Sequence, residues 1–138
     1  MNPTLLLDTC AAIWIMGNAW MRDAAVAAMD SASDLGDPVY VSPIIGWEVG
    51  LLASRGRFKS HLTPRLWLRQ LLATPNIRLA ELPPTLLLES SFLPGSPPRD
   101  PADRIIAATA REYGFTVMTR DRGLLAYANE GHMSAVEC

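Results

Sequence analysis

Short apolar runs alternate with longer stretches whose apolar residues recur at helical spacing, a pattern typical of an α/β protein. The first apolar run covers residues 4–9, where three leucines precede Asp8. A continuous apolar run that stops at a polar residue is typical of a strand buried on both faces, as in the middle of a parallel sheet. The pattern therefore predicts a central first strand with Asp8 at its carboxyl end.

Four later apolar or β-branched runs predict the remaining strands, the last of them at an edge of the sheet. These strands are predicted at residues 39–41, 77–82, 115–119 and 133–136. Apolar stretches at helical spacing predict the helices between them. The helices are predicted at residues 10–16, 20–32, 42–56, 63–72, 86–92, 100–113 and 124–131. Strands and helices therefore alternate along the chain.

Capping residues mark the ends of several predicted helices. Ser42-Pro43, Thr63-Pro64 and Asp100-Pro101 each join a helix-capping side chain to a proline, which suits the first helical position. Gly114 stands where the helix from Asp100 needs a left-handed residue at its end. The helix that begins at Ser42 is expected to carry Glu48 in its second turn.

The alternation predicts an α/β fold with a mostly parallel central sheet of four to five strands and helices on both faces. The chain has 138 residues, which is enough to bury a core within one domain spanning residues 1–138. Its composition, 49% hydrophobic and 19% charged, is ordinary for a soluble globular protein. We therefore expect a single three-layer sandwich.

Four acidic residues accompany the predicted strand ends. Asp8 and Asp121 follow strands, and Glu48 and Asp103 lie in the first or second turn of helices. Strand carboxyl ends and the N-termini of the following helices share one edge of an α/β sheet, so the four carboxylates are expected to meet there. Such a cluster needs a cation. Oxygen ligands without a suitably spaced histidine or cysteine favour Mg²⁺ or Mn²⁺, which serve phosphodiester chemistry.

Each acid also has a simpler structural explanation. Asp8, Asp100 and Asp121 stand where an aspartate caps a helix, and Asp103 occupies the third helical position, where an acid completes a capping box. Glu48 is harder to explain in this way, because apolar residues surround it in the sequence and a carboxylate among them needs a partner. Capping and metal binding both remain open for the aspartates.

The basic residues are unevenly distributed, although the net charge of −2 gives no overall positive field. Residues 50–79 contain no acid but hold six of the twelve basic residues, and we call residues 55–78 the basic segment. Its basic residues are Arg55, Arg57, Lys59, Arg65, Arg69 and Arg78. With Phe58, His61 and Trp67 among them, they could bind phosphates and stack on bases. The alternative is a solvated helix face with Trp67 in the core.

The two cysteines, Cys10 and Cys138, lie at opposite ends of the chain and have neither CxxC nor Cys/His metal spacing. No disulfide framework is expected. Cys10 is expected to be a small buried residue of the first helix, with a reactive thiol as the alternative. No apolar run approaches the ~18 residues needed to cross a bilayer, and the N-terminus lacks the positive start of a secretory signal. We therefore expect a cytoplasmic protein with no membrane partner.

Four motifs resemble those of the PIN-domain ribonucleases, and most closely those of the VapC-type toxins of bacterial toxin–antitoxin pairs. The motifs are Leu6-Leu7-Asp8-Thr9, Trp47-Glu48-Val49, Arg99-Asp100-Pro101-Ala102-Asp103-Arg104-Ile105-Ile106-Ala107 and Val117-Met118-Thr119-Arg120-Asp121. They occur in the family's order over essentially the whole chain, and Asp-Pro-x-Asp-Arg is the most specific of them. The resemblance implies a PIN-like fold and a metal-dependent endoribonuclease that acts on RNA and is held silent by a cognate antitoxin, usually as a homodimer.

The resemblance also implies roles for individual residues. Asp8, Glu48, Asp103 and Asp121 match the acidic catalytic site that holds Mg²⁺ or Mn²⁺. Asp8 and Asp103 are expected to be direct metal ligands, while Glu48 and Asp121 complete the site or position the attacking water. The expected supporting residues are Thr119, Thr9 and Asp100. The residues expected to bind RNA are Arg55, Arg57, Lys59, Arg65 and Arg69.

Two positions depart from the family pattern, and two other functions remain open. Cys10 stands where many relatives have histidine, and Gly46 replaces a commoner serine, which affects substrate preference more than catalysis. One alternative is a catalytically silent PIN fold that binds RNA or protein. The other is an Asp-dependent phosphotransfer protein, which needs a lysine near the phosphoryl group and, in phosphatases, a second aspartate at the position of Cys10. The only lysine is Lys59.

Overall fold

The computed structural model describes residues 3–138, in which strands and helices alternate. The strands are β1 (Leu5–Leu7), β2 (Val39–Val41), β3 (Ile77–Leu79), β4 (Thr116–Thr119) and β5 (Ser134–Glu137). The helices are α1 (Thr9–Met16), α2 (Asp23–Leu35), α3 (Ile44–Ser54), α4 (Pro64–Ala73), α5 (Pro84–Glu89), α6 (Pro101–Tyr113) and α7 (Arg122–Asn129). No helix in this described range is long and apolar enough to cross a membrane.

The strands join in one sheet with the order β3-β2-β1-β4-β5, and each neighbouring pair is parallel. β1 is at the centre, where Leu6 lies opposite Tyr40 of β2 and Val117 of β4. β5 lies at an edge of the sheet. The structure therefore confirms the predicted central first strand, the parallel sheet and the final edge strand.

Two apolar cores cover the two faces of the sheet. Successive side chains of a strand point to opposite faces, so the three leucines of β1 are divided between the cores. Leu5 and Leu7 lie in the core that α1, α2, α3 and α4 cover, whereas Leu6 lies in the core under α6 and α7. The helices thus form two layers around the sheet, as the predicted three-layer sandwich requires.

Helix ends follow the capping signals of the sequence. The side chains of Thr63 and Asp100 accept hydrogen bonds from first-turn amides of α4 and α6 at 3.3 and 3.0 Å. Ser42 accepts one from the amide of Ile44 at 3.2 Å where α3 begins. Gly114 ends α6 with a left-handed φ of 71°. The cap-plus-proline pairs therefore locate these helices correctly.

The predicted start of α2 at residue 20 is wrong, because the helix begins at Asp23. The backbone amide of Arg22 donates to the carbonyl of Cys138 at 3.2 Å, and Arg22 has extended backbone angles. This bond ties the segment before α2 to the end of β5. A contact between residues so distant in sequence leaves no local signal, so hydrophobic spacing places the helix start too early.

The predicted ends of β3 and α5 are also wrong. β3 stops at Leu79 rather than residue 82, since its partner β2 ends at Val41 and the last bond joins the Ala80 amide to the Val41 carbonyl at 2.8 Å. α5 stops at Glu89 rather than residue 92. The next residue, Ser90, turns its hydroxyl back to a helix carbonyl at 2.6 Å, a bond that competes with helix continuation.

Because all strands run in one direction, their carboxyl ends form a single edge of the sheet, which we call the carboxyl edge. Asp8 follows β1 there, α3 begins just after β2, and Asp121 follows β4. Ligands of open α/β sheets bind outside this edge. The fold therefore brings the predicted acidic residues to the place where a site is expected.

Candidate active site

Asp8 is the most deeply buried acid of the carboxyl edge, with 5% of its surface exposed. One carboxylate oxygen accepts a hydrogen bond from the amide of Ala11 at 2.8 Å and so caps α1. The other accepts a hydrogen bond from the hydroxyl of Thr119. Burial raises the pKa of Asp8, while these two bonds oppose the rise. Asp8 is thus a helix cap and also a member of the site.

Thr119 links the ends of the two central strands. Its side chain is fully buried, and its hydroxyl donates to Asp8 while its oxygen accepts from the amide of Asp121 at 2.9 Å. Asp121 in turn caps α7 by accepting from the amide of Leu124 at 2.9 Å. Thr119 therefore fixes the position of one acid and the backbone of another, and its role in supporting the site stays a prediction.

Glu48 extends from the second turn of α3 and is partly buried. Its carboxylate accepts a hydrogen bond from the hydroxyl of Thr9, the first residue of α1. Burial raises the pKa of Glu48, and the nearby charges of Asp100 and Asp8 raise it further, against the Thr9 bond. The partner that this carboxylate needs is therefore a hydroxyl, placed beside other acids.

Asp103 lies in the first turn of α6. Burial is the largest cause that raises its pKa, from 3.8 to about 8, and repulsion from other carboxylates adds to it. These carboxylates belong to Asp121, Asp100, Glu48 and Asp8. The four predicted catalytic acids are therefore close enough to disfavour one another's charge.

Asp100 lies closer to the predicted catalytic acids than its expected role as a helix cap and supporting residue suggests. It caps α6 through the amide of Ala102, as predicted. One carboxylate oxygen from each of Glu48, Asp100 and Asp103 also lies within 4.8 Å of the other two, a spacing that could hold a metal ion. The available signal was the three-residue separation of Asp100 and Asp103, which brings side chains together on a helix.

The donor set fits a hard divalent cation. All the clustered side chains offer carboxylate oxygens, and the pKa of three of them, Asp8, Glu48 and Asp103, is raised by burial and mutual repulsion. A bound dication would favour the charged form of each carboxylate. The closest oxygens belong to Glu48, Asp100 and Asp103, with Asp8 and Asp121 beside them.

The prediction that Cys10 is buried is wrong. The residue is exposed rather than buried, and Cys138 is the cysteine that lies in the core. Although the residue reaches the surface, neighbouring atoms partly shield its thiol from water. This desolvation, together with nearby carboxylates such as those of Asp8 and Glu48, raises the pKa of the thiol to about 11. The thiol is therefore protonated at neutral pH, which argues against the reactive-thiol alternative.

Part of the basic segment lies away from the acids. Lys59 and His61 border a small cavity with Ile13 and Met16, near the end of α1 opposite Asp8. At 1.5 Å per residue, that end is roughly 12 Å from the acidic end. The arginines and the lysine of the segment are exposed, and their binding to RNA stays a prediction.

Trp67 does not belong to an exposed binding surface. Its side chain is 3% exposed and lies edge-on to Phe58, with ring centres 5.7 Å apart. Of the two explanations that the sequence leaves open for Trp67, base stacking is wrong and a place in the core is right. In the sequence alone, a tryptophan within a basic amphipathic helix is consistent with base stacking and with burial in the core, because its packing partners are not known.

Comparison with protein families matches residues 5–130 to the PIN domain. The chain belongs to the PIN-domain family. This PIN domain is similar to Ribonuclease VapC22 of Mycobacterium tuberculosis, with 32% identity over 126 residues that cover 90% of this chain and 92% of the relative. The predicted family is therefore confirmed.

Solved structures share the fold of this PIN domain. VapBC2 from Rickettsia felis, bound to a DNA fragment from its promoter, has a TM-score of 0.66 at 12% identity and covers 97% of this chain and 98% of that one. FitAcB from Neisseria gonorrhoeae has a TM-score of 0.56 at 24% identity, with 96% of both chains covered. At these identities the likeness concerns the fold, and it confirms the predicted PIN-like sandwich.

Proposed function

We propose that this PIN domain is a metal-dependent endoribonuclease, the toxin of a toxin–antitoxin pair. The observation that carries the proposal is the convergence of Asp8, Glu48, Asp103 and Asp121 at the carboxyl edge, where their charges affect one another. A relative aligned over 90% of the chain is named a ribonuclease, which supports the same activity. The substrate is RNA and the reaction is hydrolysis of a phosphodiester bond.

The acids hold Mg²⁺ or Mn²⁺. Asp8 and Asp103 are direct ligands, and Glu48 and Asp121 complete the site directly or through water. Asp100 is near enough to Glu48 and Asp103 to join them. When bound, the ion supplies charge neutralisation, orientation of the phosphodiester and stabilisation of an in-line transition state. The expectation that Asp8 and Asp103 are the two direct ligands stays part of the proposal.

The hydroxyls and helix ends set the geometry of the acids before RNA binds. Thr119 and Thr9 donate to Asp8 and Glu48, so both carboxylates have fixed orientations. Asp121 uses one oxygen to cap α7 and keeps the other for a water molecule that approaches the phosphodiester. Asp121 is more exposed than Asp8, which suits it to positioning that water.

The partners follow from the same proposal. Solved structures with this fold include VapBC2 and FitAcB, and by analogy we infer that a cognate antitoxin silences this chain. A homodimer, a cytoplasmic location and a single functional domain over residues 1–138 belong to the proposal as well. Each can be tested on the purified chain or on its complex with the antitoxin.

The phosphotransfer alternative has little support in the geometry. Lys59 borders the end of α1 opposite Asp8, and Cys10 occupies the position of the second phosphatase aspartate. A catalytically silent PIN fold is the stronger alternative, because it would keep the acids and the metal. It would bind Mn²⁺ without cleaving RNA.

Cleavage assays on the chain freed of its antitoxin test the proposal. We expect total RNA to be cut with Mg²⁺ or Mn²⁺, no cutting with chelator, and no cutting by Asp8→Asn or Asp103→Asn. Asparagine caps helices about as well as aspartate, so Asp8→Asn should keep its fold, which circular dichroism checks. Full activity in either variant, or cleavage in chelator, would refute the assigned roles. Mapping the cut sites would identify the RNA.

A further inference from the structure

An open groove lies at the carboxyl ends of β4 and β5. Its volume is about 670 Å³. The lining includes Trp20, Arg22, Arg120, Arg122, Asn129 and Glu137, and we call it the arginine groove. It brings together residues from the loop before α2, the start of α7 and the end of β5. None of its arginines belongs to the basic segment.

The arginine groove has a positive excess. Arg22 forms an ion pair with Glu137, so these two charges offset each other. Arg120 and Arg122 form no salt bridge within residues 3–138. Two guanidinium groups of the groove lining therefore have no carboxylate partner among the described residues, in a protein whose net charge is −2. A ligand that carries negative charge suits this place.

Arg120 is held in a fixed orientation. Its guanidinium carbon lies 3.7 Å from the centre of the Trp14 ring, and one of its nitrogens donates to the carbonyl of Trp20. A guanidinium has five N–H donors, so others remain for a ligand. The same bond fixes the backbone of Trp20, whose indole is 73% exposed. The groove thus combines a fixed cation with an exposed aromatic ring, which is the combination that binds single-stranded nucleic acid.

Arg120 and Arg122 are the chain neighbours of Asp121, so the groove adjoins the backbone of one residue of the acidic site. The acids attract only the phosphate that a metal ion neutralises, and the next phosphates of the same strand need protein cations. We propose that the arginine groove binds the RNA nucleotide beside the scissile bond, with its phosphate on Arg120 and Arg122 and its base on Trp20. This inference rests on the proposed ribonuclease function.

RNA binding measured without metal separates the groove from catalysis. The assay is fluorescence anisotropy of a labelled oligouridine of about ten nucleotides in EDTA, over a range of salt concentrations. Arg122→Ala should weaken binding and lower the slope of log affinity against log salt by about 0.7, as for one phosphate contact. Trp20→Ala should weaken binding about tenfold without a change in slope. The matched control is Arg111→Ala, an exposed arginine at the last turn of α6.

The inference would be overturned if both groove variants bound RNA as the wild type does, or if Arg111→Ala lost as much RNA affinity as they do. It would also be overturned if the wild-type chain showed no measurable RNA binding. If the two groove variants instead lost binding to a polyglutamate peptide and kept their RNA affinity, the groove would be assigned to a protein partner. That result would also overturn the inference. Cleavage by the wild-type chain with Mg²⁺ is scored separately. If cleavage fails while Arg122→Ala and Trp20→Ala lose RNA affinity, the groove stands as an RNA-binding site, and the ribonuclease proposal falls together with the position beside a scissile bond.

Discussion

Replacing Asp103 with asparagine tests whether the acids form a repulsive cluster that a cation relieves. Burial and neighbouring carboxylates raise the pKa of Asp103 from 3.8 to about 8. A carboxyl group whose pKa rises on folding contributes stability below about pH 4, and this contribution disappears as the pH rises through about 8. Asparagine carries no charge at any of these pH values. The metal-free Asp103→Asn protein should therefore keep stability that the wild-type protein loses.

The size of the effect follows from the same shift in pKa. For a group that titrates alone, a rise from 3.8 to about 8 corresponds to roughly 5–6 kcal/mol. Asp103 keeps partial contact with water, and Glu48, whose pKa is also raised, can take up a proton in its place, so the expected effect is smaller. We expect Asp103→Asn to be more stable by about 1–2 kcal/mol near pH 8, which corresponds to a rise in Tm of roughly 3–8 °C.

Thermal unfolding in EDTA at several pH values measures this difference, and Asp30→Asn, an exposed acid of α2, is the control. Wild type and Asp103→Asn should have similar Tm values near pH 4, and the variant should have the higher value near pH 8. Added Mg²⁺ should raise the Tm of the wild type more than that of the variant. A variant that is less stable at every pH, with the same response to Mg²⁺, would show that Asp103 only supports α6.

Two other substitutions test the supporting structure. Thr119→Val removes a buried hydroxyl that bonds to both Asp8 and the Asp121 amide. Urea unfolding should show a loss of about 1–3 kcal/mol in unfolding free energy, and RNA cleavage should fall at least tenfold. Thr119→Ser, which keeps the hydroxyl, should stay close to wild type. Trp67→Ala should cost about 3–5 kcal/mol of unfolding free energy, with Trp67→Phe milder; weaker RNA binding at unchanged stability would contradict its place in the core.

The sequence predicts most of the fold because its signals are local and agree with one another. The apolar run before Asp8 marks the central strand, and the pairs Thr63-Pro64 and Asp100-Pro101 mark helix starts that the structure confirms. Gly114 marks a helix end for the same reason. Errors occur where a distant contact decides, as at Arg22, whose amide bonds to the last residue of the chain.

Only part of the candidate site can be predicted from the sequence. Strand ends can be located one by one, and a parallel sheet then brings Asp8, Glu48, Asp103 and Asp121 to one edge. The burial of a particular side chain depends on its packing partners. The sequence therefore wrongly predicts that Cys10 is buried, and it leaves the burial of Trp67 undecided. The sequence does not predict the arginine groove, because its residues come from three separate elements and only Arg120 and Arg122 adjoin an acid of the predicted site.

The helix N-termini explain how the same aspartates stabilise the fold and build the site. Asp8, Asp100 and Asp121 each use a carboxylate oxygen to cap a helix, and the free amides and dipole of a helix N-terminus favour negative charge. Capping therefore holds these side chains at the carboxyl edge and offsets part of their repulsion before a cation binds. It follows that an Asp→Asn change at these positions removes the charge and keeps the capping oxygen, whereas Asp→Ala removes the cap as well. At Asp8 the change to asparagine also removes the acceptor of the Thr119 hydroxyl. Capping and metal binding, which compete as explanations of the sequence, are two functions of one arrangement.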